Sequence, residues 1–320
     1  MGKHAVFAFL LLSLTGCLLN QSDPAPPPPA KPFLYGNIGV EDIYAANQGR
    51  MTIFGGRFMI QEPEKKPDPT GPQPVAVNLR TQESRLASIE TFFETKASRG
   101  GACSKYKLDK KEVPKAVTPK VKTLGVTVGA IGFRPALQTS AVILDEDKDV
   151  VMKDDQSKIK YQKVLSPAIP SGLYEVLSDG TETVSGFGEL LSMPEEVHHF
   201  RINGRDFDDA LIDFRPARDL ELFWKEPAIT HDQNAILLSI IWEDADVAYE
   251  VSCGLSEEDI PSVSGFKAWN LDSNWFAEFP RNGKISFYFL RAHLRRTETK
   301  RSQFLLRGLR TFVGRFDVLP

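Results

Sequence analysis

Between Lys284 and Arg315 the chain carries nine cations and a single acid, Glu298. Lys284, Arg291, Arg295, Arg296, Lys300, Arg301, Arg307, Arg310 and Arg315 give this stretch +8 in a chain of formal net charge -3. Arginine presents a planar fork of donors that matches phosphate and carboxylate oxygens. Arg291, Arg295, Arg296, Lys300, Arg301, Arg307 and Arg310 therefore read as a patch for an anionic partner: lipid phosphates, an anionic glycan or an acidic protein. The plainer alternative is that these charges guard an edge hairpin against pairing with a foreign strand, with Thr297–Ser302 as its exposed tip.

The carboxylates offer less. Asp145, Glu146, Asp147 and Asp149 crowd one short stretch, and Ca²⁺ takes six to eight oxygens. Asp145, Asp147 and Asp149 are its candidate ligands, although the spacing does not match an EF-hand loop. A solvated turn between two short strands explains them equally. Asp206, Asp208, Asp209 and Asp213 pose the same choice. His198 and His199 are adjacent, and neighbours on a strand point to opposite faces. A zinc site needs three or four convergent ligands, so we expect one of these histidines packed inward and the other in solvent. The sequence has no G-x-S-x-G, H-E-x-x-H, P-loop or G-x-G-x-x-G signature, and no catalytic residue or cofactor is nominated. Trp269, Trp275, Phe276 and Phe279 fit either a sugar-binding face or inter-sheet packing.

The amino terminus is more specific. Lys3 and His4 precede ten uncharged residues, Ala5–Leu14. As helix these rise only ~15 Å, about half a bilayer core, which suits the apolar core of a signal peptide and not a membrane span. Leu14-Thr15-Gly16-Cys17 follows and resembles a bacterial lipobox at all four positions. The resemblance implies a signal peptide over residues 1–16, cleavage before Cys17, diacylglycerol on its sulfur and an acyl chain on the new amine. It makes a lipid bilayer the first partner and the cell envelope the compartment. Leu18 stands where an Asp would resemble an inner-membrane retention signal, so the outer membrane is the expected destination. Residues 17–32 then form anchor and stalk, stiffened toward polyproline II by Pro24, Pro26–Pro29 and Pro32.

With Cys17 lipidated, Cys103 and Cys253 remain in an oxidising compartment. They form either a disulfide or two separate buried thiols.

The elements that must hold these groups are strands. Residues 61–74 are too rich in Pro and charge to lie within a sheet and read as a loop. Val75–Leu79 reads as a strand, and Ser84–Lys96 fits helix and strand equally. Val121–Phe133 alternates and predicts one strand. Ala141–Leu144 and Val150–Met152 predict a hairpin around the acidic turn. Later come Gly172–Leu177, Gly186–Leu191, Val197–Ile202, Leu220–Trp224, Ala235–Trp242, Ala248–Cys253, Ile285–Leu290 and Thr311–Leu319. Ala235–Trp242 is nearly all apolar, as for a strand covered on both faces. Short strands between turn signals indicate an all-β, antiparallel, immunoglobulin-like sandwich with few short helices. We expect a β-rich domain at 33–165 and a sandwich at 166–320. The second half resembles a β-sandwich module of lipoproteins from gliding and predatory proteobacteria. The resemblance rests on Gly172-Leu173-Tyr174, Trp224, Trp242, Tyr249–Cys253 and Val263-Ser264-Gly265-Phe266. It implies a fold and a cell-surface setting.

Net charge of -3 argues against a nucleic-acid partner. The expectation is an envelope lipoprotein with a binding or structural role toward a protein or anionic glycan. The alternative is a hydrolase acting on envelope polysaccharide or peptidoglycan.

Overall fold

The computed structural model describes residues 32–61, 102–109, 123–136, 138–151, 160–166, 169–209, 214–228, 234–244 and 246–319. Cys17, the stalk, Asp213, residues 62–74 of the expected loop, the Val75–Leu79 strand and the Ser84–Lys96 segment lie outside them.

In chain order the strands are β1 (Leu34–Ala45), β2 (Gly49–Gln61), β3 (Ala102–Asp109), β4 (Thr123–Gly125), β5 (Ile131–Pro135), β6 (Val142–Leu144), β7 (Val150–Val151), β8 (Lys160–Leu165), β9 (Gly172–Gly180) and β10 (Ser185–Met193). They continue as β11 (Arg201–Ile202), β12 (Arg205–Asp206), β13 (Leu220–Lys225), β14 (Asn234–Glu243), β15 (Val247–Ser256), β16 (Ser262–Val263), β17 (Phe266–Leu271), β18 (Lys284–Glu298) and β19 (Ser302–Asp317). The only helical elements among the described residues are the 3₁₀ turns Glu257–Asp259 and Ser273–Phe276. None is long and apolar enough to cross a membrane.

The fold is an all-β sandwich. A wide sheet runs β3-β15-β14-β18-β19-β1-β2-β8-β7, with β4 beside β2; two small sheets run β10-β9-β5-β6 and β12-β11-β13-β17-β16. Among the named strands the ladders are antiparallel except β1–β19, which is parallel from Leu34–Ser302 to Ala45–Val313. Alternation places the side chains. Leu220, Leu222 and Trp224 are buried between exposed Glu221 and Lys225. β14 is nearly all apolar and, with β15 and β18 on its flanks, is buried on both faces up to Trp242.

Both small sheets cover the same face of the wide sheet. The even-numbered residues of β19 show this, since Phe304 and Leu306 enter one core and Phe316 the other. The first core joins Ile38, Phe54, Phe58 and Phe304 to Phe133, Val176 and Leu191 of the β10-β9-β5-β6 sheet. The second joins Ile236, Leu238, Phe287 and Phe289 to Leu222, Trp224 and Trp269. A smaller cluster of Leu237, Leu290, Ala292, Leu294 and Leu309 lies on the opposite face.

Several expectations change. Residues Pro32–Pro320 are one compact unit, because β1 and β2 pair into the sheet that holds β14–β19. The two β-rich parts are thus the two cores, not residues 33–165 and 166–320. Val121–Phe133 is not one strand. β4 belongs to the wide sheet and β5 to a small one. Gly129, at φ 75°, turns the chain between them, and the Tyr161 hydroxyl accepts the Val128 N–H and donates to the Gly129 carbonyl. Likewise the Asp145–Asp149 turn joins β6 and β7 of different sheets, so it is a corner and not a hairpin tip. Of Val197–Ile202 only Arg201–Ile202 is strand. The β18–β19 hairpin is central, flanked by β14 and β1, so it is not an edge hairpin.

Candidate functional site

The long β18–β19 hairpin organises the charged groups. Its register sets Arg291 directly opposite Arg310. Both point to the face that carries the cores, and they are 0% and 2% exposed. Like charges face to face are unfavourable, so each arginine needs its own anion. Arg310 pairs with Asp42, its register neighbour on β1. Arg291 donates through Nε to Glu257 at 2.9 Å. Thr52, Asp42, Arg310 and Arg291 follow one another across β2, β1, β19 and β18, a polar row between the two cores.

The same arginines grip the chain that passes over them. Arg310 Nε donates to the Pro194 carbonyl at 3.1 Å, and its Nη2 to the Ile169 carbonyl at 3.1 Å and Ser171 Oγ at 3.2 Å. Arg291 Nη1 donates to the Glu195 carbonyl at 3.1 Å. Arg50 links Asp42 to Glu196. Residues 194–200 connect β10 of one small sheet to β11 of the other, so the buried row, which holds residues 194–196, fastens the strap between them. Gly308 completes the fit: a Cβ there would strike the Ser192 carbonyl. Burial pushes the Asp42 pKa up, but the Arg50 hydrogen bonds and the Arg310 charge outweigh it and hold the carboxyl below its usual range. Arg50 is raised, chiefly by its hydrogen bond to Asp42. Arg291 and Arg310 are therefore not part of a solvent-facing patch: the anions they bind are Glu257 and Asp42.

The remaining cations are different. Arg295, Arg296, Lys300 and Arg301 are exposed at the hairpin end, and Arg307 is half-buried beside Gly39. The turn is held by Thr299, whose N–H donates to the Ser302 carbonyl at 2.8 Å. Thr299 Oγ1 accepts the N–H groups of Arg301 and Ser302 at 3.2 and 3.0 Å. The backbone is fixed while the Lys300 and Arg301 side chains stand in solvent.

A disulfide joins Cys103 to Cys253, which are register partners on β3 and β15. Across a sequence separation of 150, loop-closure entropy makes such a bond worth about 4–5 kcal/mol. Beside it, Lys105 Nζ lies 5.7 Å from the Trp275 ring centroid and Lys107 Nζ 5.4 Å from that of Tyr249. These four residues line a pocket of about 160 Å³. The lysines sit on β3, at one edge of the wide sheet, where charge opposes strand-to-strand association. A larger pocket, about 400 Å³, opens beyond the end of β1 between Asn47, Gln48, Asp209, Lys284 and Arg315. Lys284 there pairs with Asp317 at 3.4 Å.

The acidic turn is committed to its own backbone. Asp145 Oδ1 accepts the Asp147 N–H at 2.9 Å, Asp149 Oδ2 accepts the Asp145 N–H at 2.9 Å, and Lys163 pairs with Asp149 at 3.2 Å. Among the described residues no group of three or more His, Cys, Asp or Glu is placed to hold a metal. His198 and His199 are both exposed, because the strand expected to alternate them begins only at Arg201. Trp269, Phe276 and Phe279 are core residues, and Trp275 is half-buried under Lys105.

Asp42, Arg50 and Glu196, which help to build the polar row, were not among the residues singled out from sequence. No protein-family model matches the chain, and no curated protein or solved structure matches it.

Proposed function

We propose that this chain is an envelope lipoprotein, anchored through Cys17 and destined for the outer membrane, whose body binds a protein or anionic glycan or serves structurally. The observation that carries the compartment is the cross-strand disulfide between Cys103 and Cys253. Such bonds persist in oxidising surroundings, and Leu14-Thr15-Gly16-Cys17 calls for the same surroundings on unrelated grounds. The surface supports a binding role. Ile143, Leu173, Leu177 and Leu190 are 47%, 51%, 46% and 42% exposed on the outer face of the β10-β9-β5-β6 sheet. Ile143, Gly132, Leu177 and Gly188 are register neighbours there, so aliphatic side chains lie over glycine backbone in a flat, apolar row. Clustered exposed apolar groups mark interaction surfaces.

Mass spectrometry of the amino-terminal peptide of the native protein tests the anchor. The expected species begins at Cys17 and carries diacylglycerol and a further acyl chain. A peptide that begins at Met1 without lipid contradicts it. Crosslinking on intact cells tests the role, with a defined envelope protein or glycan as the expected product and background labelling alone as the contrary result.

A further inference from the structure

We propose that the β18–β19 hairpin end is a docking surface for the anionic headgroups of the membrane that holds the protein. Arg295, Arg296, Lys300 and Arg301 are all exposed there, with Glu298 the one acid between them, so the end carries a net +3. Among the described residues, β18 pairs with β14 only up to His293. Past that point β18 continues to Glu298 while β1 still flanks β19 down to Ser302, and Arg295 and Arg296 lie on opposite faces of the ribbon.

The topology sets this basic end at the point where the chain enters the body. Leu34 is the register partner of Ser302, and its N–H donates to the Arg301 carbonyl at 2.9 Å. Residues 18–32, fifteen in all, separate Cys17 from Phe33. A chain of that length reaches at most roughly 55 Å. The end of the molecule tied to the bilayer is therefore the end that carries the cations. Phe33 and Tyr35, with ring centroids 4.9 Å apart, sit at the same place, and aromatic side chains suit the headgroup region. An anionic glycan or acidic protein would accept the same charges, but nothing would bring it to this end in preference to another.

The tether rests on the reading of Cys17; the charge contacts do not. Each cation near an anionic surface strengthens partition about five-fold, and only within about a Debye length. The test is flotation of the native full chain with vesicles of phosphatidylcholine alone or with phosphatidylglycerol added, at low and high salt. Hydrogen exchange of the Arg295–Gln303 peptide is followed alongside. The quadruple variant Arg295→Gln, Arg296→Gln, Lys300→Gln, Arg301→Gln is compared. The expected result is protection of that peptide on anionic vesicles only, lost at high salt, and an electrostatic gain in partition that falls about six-hundredfold in the variant, five-fold for each of the four cations removed. Equal protection on neutral vesicles, or an equal gain in the variant, overturns the proposal. So does stronger protection by a soluble anionic polysaccharide than by vesicles. Failure to float with neutral vesicles counts against the acyl anchor alone, since the gain from phosphatidylglycerol still decides the docking surface. The salt dependence of the wild-type protein decides it too, should the variant fold poorly.

Discussion

Halfway along the β18–β19 hairpin, Arg291 and Arg310 are sealed between two cores, while at its end Arg295, Arg296, Lys300 and Arg301 stand in solvent. One ribbon thus holds the same side chain in two states. In the middle, the neighbours are Asp42 and Glu257, each 3% exposed or less, and the backbone carbonyls of residues 169, 194 and 195. The arginines there serve as internal cross-links. At the end, the side chains are exposed around a short polar turn. The difference teaches that the job of an arginine on a strand follows from which face it shares and what crosses that face, and not from local charge density.

The largest way to break the contrast is to remove one buried partner. Arg291→Met leaves Glu257 enclosed with the Asn234 amide as its remaining side-chain donor among the described residues, and an uncompensated buried charge costs about 3–5 kcal/mol. Chemical denaturation of the purified protein should show a loss of that order. Arg310→Met should cost less, because Arg50 still pairs with Asp42.

Acid provides a graded form of the same test. The Asp42 pKa is lower in the folded state than in the unfolded chain, where it lies near ~3.9. The unfolded state then binds more protons in the acid range, and stability contributed by Asp42 is complete above ~3.9 and lost as pH falls through the folded value. Asp42→Asn should flatten the acid limb of a stability-versus-pH curve, at the expense of stability at neutral pH. An unchanged acid limb would remove Asp42 from the account.

A smaller effect tests the strap. Gly308→Ala places a methyl group against the Ser192 carbonyl, and overpacking of this kind costs about 1–3 kcal/mol. The smallest effect is expected at the hairpin end. Arg295→Gln with Arg301→Gln should leave the unfolding midpoint within about 0.5 kcal/mol of wild type, as exposed substitutions generally do. A large loss there would mean that the end is a structural element and would dissolve the contrast.

Much of the fold was legible from pattern. β14 reads as covered on both faces, and Leu220–Trp224 alternates as it packs. What was hidden was partnership. Nothing local in β1 announces that it pairs in parallel with β19, some 270 residues later, because the long connection leaves no short-range signal. The division between β4 and β5 was masked by an unbroken apolar texture that two different sheets share. The buried arginines did leave a trace. Arg291 falls in phase with Phe287 and Phe289, and Arg310 with Phe304, Leu306 and Phe312, so strand parity alone places both on the core face. Reading the cations by density instead of by phase merged two sites into one patch. The carboxylates that answer them come from distant strands and turns, and only the assembled sheet brings them together.

The most direct measurement is arginine modification with phenylglyoxal on the native folded protein, read site by site by mass spectrometry. Arg295, Arg296 and Arg301 should react at rates close to those of exposed arginines, while Arg291 and Arg310 should react only as the protein unfolds. Comparable labelling of Arg291 or Arg310 in the folded state would contradict the sealed polar row, and with it the distinction between the middle of the hairpin and its end.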